Sequence, residues 1–198
     1  MPENQYRSPQ SLIYFPFIMP KTFFCIGSGP SLTADDCLHA NDSGLPVIAV
    51  NNSWNAVPGC QHIYAADCCW WEEFGAGITS QAARWCGDEF TARRFGINWL
   101  PSAIPGSFNS GQRAIELAIH LGASRVLLLG YDCSIRNGTH WHGNHALLSN
   151  PDKFSVARWQ DEFSRLSAVA GGVEIINCSR FTRLTCFPRQ SIETALSL

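Results

Sequence analysis

A chain of 198 residues, 45% of them apolar, is long enough to bury one sizeable core and short for two. Its 14 basic and 16 acidic residues leave a formal charge of −2, which argues against a protein that holds nucleic acid through a general positive field. Nine cysteines, odd in number and dispersed through apolar runs, read as free thiols behaving as small hydrophobes, and the expected setting is a reducing cytoplasm.

Residues 1–20 carry Leu12-Ile13-Tyr14-Phe15-Pro16-Phe17-Ile18, an apolar stretch too short to span a bilayer and broken by proline, without the charged start and cleavage site of a secretory signal. They read as an N-terminal extension, with Met19 a candidate alternative start, ahead of one domain over 21–198. Lys21-Thr22-Phe23-Phe24-Cys25-Ile26 is a continuous apolar run ending at glycine, as expected of a strand buried on both faces. Thr33 is a good N-cap for a short helix over 34–40, with Asp35 and Asp36 in its first turn. Buried strands follow at 46–50, ending at Asn51-Asn52-Ser53, and at 62–66, ending at Asp67.

The stretch 68–108 is rich in glycine and tryptophan and offers only a weak strand at 97–100. Ala114, Leu117, Ala118 and Leu121 then recur at helical spacing from Ser110, and Gly122 suits a left-handed end to that helix. A strand at 125–129 ends at Gly130-Tyr131-Asp132, a helix is expected near 152–170, and a last strand at 173–176. Buried strands alternating with helices define an α/β protein: a single Rossmann-like domain with a mainly parallel sheet flanked by helices.

In open sheets of this class ligands bind beyond the carboxyl ends of the strands, so the residues there are the candidates. Gly27 and Gly29 would let the backbone of Gly27-Ser28-Gly29-Pro30-Ser31 approach an anion, with amides and the Ser31 hydroxyl as donors. A tight turn without ligand is the competing reading, and Pro30 departs from the dinucleotide pattern Gly-x-Gly-x-x-Gly.

Cys25-Ile26-Gly27-Ser28-Gly29-Pro30-Ser31-Leu32 is similar to the opening strand and turn of two related groups. These are the bacterial sialyltransferases that use CMP-sialic acid and the 6-hydroxymethylpterin diphosphokinase MptE-like family, which includes proteins linked to flagellin glycosylation. A second block resembles their later helix, strand and loop: Asn109-Ser110-Gly111, Ala114, Ala118, Leu121-Gly122-Ala123, Val126 to Asp132, and Gly138-Thr139-His140. The two blocks cover roughly a quarter of the chain. The resemblance implies a nucleotide-dependent transferase, with Asn51 touching the nucleotide and Asn109 and Ser110 near the donor's sugar or phosphates. Sialyltransferases insert a sizeable lid after the strand equivalent to 125–129, with phosphate-contacting tyrosines and a catalytic histidine. Residues 133–151 form only a modest loop without those tyrosines, and Gly138-Thr139-His140 favours the diphosphokinase-like branch, which transfers pyrophosphate from ATP with magnesium.

His140-Trp141-His142-Gly143-Asn144-His145 places three of the six histidines in one loop. His140, and less so His142, suits a general base; a metal site with Asp132 or Cys133 and a plain polar loop are the other readings. Asp67 and Asp132 can orient a hydroxyl, hold magnesium through water, or cap a turn. Trp70-Trp71 reads as core or interface before it reads as a stacking platform. The nucleotide site is thus expected to draw on Gly27 to Ser31, Asn51, Asn52, Asp67, Asn109, Ser110, Gly111, Gly130 and Tyr131, with His140, His142 and Asp132 as the chemical groups and no resident metal site. The leading expectation is transfer from a nucleotide-sugar donor. Pyrophosphoryl transfer from ATP and magnesium, and a non-catalytic nucleotide-binding protein, stand beside it, and a homo-oligomer is compatible with all three.

Overall fold

A computed structural model describes residues 21–144 and 146–197. The expected N-terminal extension, Met19 as a start, and His145 lie outside the described residues. Seven strands form one sheet: β1 (Thr22–Ile26), β2 (Val47–Val50), β3 (His62–Tyr64), β4 (Ala83–Cys86), β5 (Asn98–Trp99), β6 (Arg125–Leu129) and β7 (Glu174–Asn177). Their order is β5-β4-β3-β2-β1-β6-β7 and every pairing is parallel. The chain therefore builds outward from β1 to β5, crosses back over the sheet, and lays β6 against the other side of β1. The reversal of direction between β1 and β6 is the topological switch point at which such sheets open a crevice.

Continuous apolar strands are needed because both sheet faces are covered. Phe24 and Ile26 of β1 pack with Ala40, Trp70 and Trp71 on one face, while Phe23 and Cys25 pack with Ala114, Ile115 and Phe163 on the other. The first layer holds α1 (Ala34–Asp42), α2 (Cys68–Phe74), α3 (Glu89–Phe95) and α6 (Ile192–Leu196); the second holds α4 (Ser110–His120) and α5 (Lys153–Val169). Each large side chain fully buried in these layers contributes roughly 1.5–3 kcal/mol relative to exposure.

Local signals set the helix ends as expected at two places. Thr33 accepts from the Asp36 amide while the Asp36 carboxylate takes the Thr33 amide, a reciprocal capping box. Gly122 follows α4 with φ +89. The glycine- and tryptophan-rich stretch proves ordered, with α2, β4 and α3 where the sequence offered no clear element. Trp70 and Trp71 are core residues, each 1% exposed, their indole N–H groups donating to Asn52 Oδ1 and the Ala65 carbonyl. All nine cysteines are free thiols. Among the described residues no helix is long and apolar enough to cross a membrane.

Candidate functional site

The carboxyl ends of β1, β2, β3 and β6, the start of α4 and the first turns of α5 enclose one cavity of about 500 Å³. Twelve of the sixteen residues expected at the site line it: Gly27, Ser28, Gly29, Asn51, Asp67, Asn109, Ser110, Gly111, Gly130, Tyr131, Asp132 and His140. Pro30, Ser31, Asn52 and His142 do not.

The glycines at the two strand ends answer to each other. The Gly29 amide donates to the Gly130 carbonyl at 2.8 Å, and a Cβ on Gly27 would stand 2.7 Å from that same oxygen. Gly130, at φ +68, would in turn place a Cβ 2.7 Å from the Gly27 carbonyl oxygen. Close approach of the β1 and β6 turns is thus the structural need that these glycines meet.

That approach changes the expected role of Ser31. Its amide and hydroxyl, expected to face a phosphate, donate instead to the Asp132 carboxylate at 3.0 and 2.6 Å. A carboxylate at the end of β6 fills the anion position of the β1 turn, because the packed glycines bring it within reach. Burial raises the Asp132 pKa above the ordinary aspartate range, while the Ser31 hydroxyl and amide pull it back down. A raised folded-state pKa contributes stability that is full below the unfolded value and lost as pH rises through the folded value. Stability is therefore expected to fall as pH climbs from the ordinary aspartate range, and Asp132→Asn to remove that part of the slope in denaturation curves taken across acid pH.

Asn51 and Asn52 part company. Asn52 is held by the Trp70 indole at 2.7 Å. Asn51 turns off β2 in the left-handed region, φ +49, and its side-chain oxygen is buried at the cavity wall with no hydrogen-bond partner. Asparagine is among the few residues that tolerate this backbone. Among the described residues only Asn51 and Cys133 are non-glycines with positive φ, and both line the cavity. Backbone strain of this kind concentrates where ligands are handled.

The start of α4 is fastened from three sides. Asn109 caps it by accepting from the Gln112 amide at 2.8 Å, the Ser110 hydroxyl accepts from the Ala66 amide at 2.9 Å, and the Gly111 carbonyl accepts from the Tyr131 hydroxyl at 3.0 Å. The side chains of Asn109 and Ser110 are thereby committed to holding the helix. The Ser110 and Gly111 amides, lacking acceptors within a helix as first-turn amides do, remain at the wall beside the positive end of the helix dipole. Tyr131 is only 3% exposed and packs edge-on against Phe163.

Asp67 precedes α2 without capping it, so its carboxyl opens to the cavity. Enclosure by the surrounding walls raises its pKa, against the opposing pull of Arg113 and Arg158. The histidine loop is pinned to the β1 turn through the Trp141 amide, which donates to the Ser28 carbonyl at 2.9 Å. This delivers His140 to the wall and leaves its ring stacked on His142, centroids 5.0 Å apart. Among the described residues no group of three or more His, Cys, Asp or Glu is placed to hold a metal ion.

The wall also contains Cys133, read from the sequence only as a candidate metal ligand, and residues that the sequence did not single out, chiefly Phe108, Leu148 and the α5 side chains Ser155, Arg158 and Trp159. Ser155, Arg158 and Trp159 share one helix face by their i, i+3, i+4 spacing, the only signal that joins them. Burial pushes the Cys133 thiol up, so the neutral form, a poor nucleophile, prevails there. Compared with protein-family models, with curated proteins and with solved structures, the chain finds no match.

Proposed function

We propose that the chain is a nucleotide-dependent transferase of glycosyltransferase type, taking a nucleotide-sugar donor in the cleft between β1 and β6. One observation carries the reading: Asn51 holds an unpaired, buried amide oxygen at the wall of the switch-point crevice, on a backbone in the left-handed region. Leaving such an acceptor unmatched costs about 1–3 kcal/mol, which a ribose hydroxyl or base amino group would recover by donating to it. The motif resemblance to the sialyltransferase and MptE-like groups supports the same placement.

In this reading the donor's phosphate lies at the start of α4, against the Ser110 and Gly111 amides, where the helix dipole favours an anion. It does not lie on Ser31, whose donors Asp132 already holds. His140 accepts the proton of the acceptor hydroxyl as that oxygen bonds to the anomeric carbon. The bond from that carbon to the donor phosphate breaks, and the nucleotide leaves with its electron pair.

Magnesium, which pyrophosphoryl transfer from ATP would use, fits the residues poorly. Among the described residues the cavity wall carries two carboxylates, and both oxygens of Asp132 are engaged by Ser31, which leaves Asp67 as the carboxylate open to a hard cation.

The test is thermal unfolding against a panel of nucleotides and nucleotide sugars. A ligand at 100 times its Kd stabilises the folded state by about 2.7 kcal/mol. Asn51→Gly keeps the left-handed backbone and deletes the amide, and is expected to weaken binding about ten-fold. A panel that moves the unfolding temperature of neither protein would refute the proposal, and binding without turnover would point to a non-catalytic nucleotide-binding protein.

A further inference from the structure

Among the described residues Arg158 is the only lysine or arginine on the cavity wall, and its side chain is exposed. Among the described residues its guanidinium makes no hydrogen bond or ion pair, although its charge reaches the Asp67 and Glu162 carboxyls. The same wall carries apolar groups: Trp159 beside it on α5 and Leu148 on the incoming chain, both half-buried against the core, and Phe108 just before α4, 67% exposed with the Arg113 guanidinium over its ring. Phe154, next to the wall residue Ser155, is 71% exposed. An exposed aromatic on a cavity wall is available for contact, and an unpaired guanidinium on the same wall supplies charge complementarity for an anion.

Arg158, Trp159 and Leu148 come from segments other than those assigned to the donor, which are the ends of β1 and β2 and the first amides of α4, while Phe108 immediately precedes that helix. We infer that the part of the cleft wall built from Arg158, Trp159, Phe108 and Leu148 is a subsite for a second small-molecule substrate that joins an anionic group to an aromatic or apolar body. The inference rests on the nucleotide reading only for calling that ligand the acceptor. Arg158 pairs with its carboxylate, sulfonate or phosphate, while the ring or chain lies against Trp159 and Phe108.

Phenyl phosphate, phenol and inorganic phosphate separate the two requirements, with binding to the full chain followed by calorimetry. Phenyl phosphate is expected to bind one site per chain at least about ten-fold more tightly than either fragment. Arg158→Gln should reduce it to the level of phenol and Phe108→Ala to the level of inorganic phosphate. Arg158→Lys should restore part of the affinity, and since Arg158 is exposed these variants keep the fold. Equal binding of phenyl phosphate and either fragment, or binding unchanged in Arg158→Gln, overturns the subsite. So does loss of nucleotide stabilisation in Arg158→Gln, which would assign the guanidinium to the donor. A nucleotide panel without effect, alongside intact Arg158-dependent binding of phenyl phosphate, defeats the nucleotide reading and leaves the subsite standing.

Discussion

Gly130→Ala is expected to lower the stability of the fold by about 2–5 kcal/mol, a large share of the 5–15 kcal/mol typical of a domain. Two effects add. At φ +68 a side chain incurs the left-handed penalty of roughly 1–2 kcal/mol, and the new methyl stands 2.7 Å from the Gly27 carbonyl oxygen and 3.2 Å from Leu32 Cβ, an overpacking of about 1–3 kcal/mol. Gly122→Ala isolates the first effect, since at φ +89 its Cβ would meet nothing within 4 Å. Urea denaturation of the two variants should therefore separate them by at least about 1 kcal/mol. Equal losses would show that the two turns yield to one another and that their contact is not rigid.

The second large effect is on turnover. With the donor that stabilises the protein most, His140→Ala should release nucleotide about 10²–10⁴-fold more slowly in the presence of acceptor, the range for removal of a general base. Stabilisation by that donor should be unchanged, because His140 is assigned to the acceptor's proton. His142→Ala should have a smaller effect, acting through the stacked ring that steadies His140. Rates that survive His140→Ala intact would remove the histidine loop from the chemistry.

How much of this was legible in the sequence follows from burial. β1, β2 and β6 lie in the middle of the sheet with both faces covered, so they appear as unbroken apolar runs that need no partner to be recognised. Ala83–Cys86 is β4 near the far edge, partly exposed along three of its four residues, and Arg84 interrupts it to bond the Gly75 and Ile78 carbonyls. A strand whose charged side chain is satisfied by carbonyls of another segment carries no pattern of its own. The site was legible to the extent that strand ends dictate it. Arg158 was not, because a charged residue inside an amphipathic helix looks solvated until the fold turns that face toward a cavity. The acceptor of the Ser31 donors, Asp132, is hidden for a related reason: it lies 101 positions away.

That separation has a consequence for synthesis. The strand that opens the sheet leaves the ribosome well before the one that covers its other side, since β6 pairs with β1 along all five residues only after the four intervening strands have been made. Until then the nascent chain carries a central strand with one edge bare and apolar on both faces, the kind of surface that invites wrong partners. With this order of strands that surface stays open until β6 has been made, and the cleft is not complete until α5 has been translated.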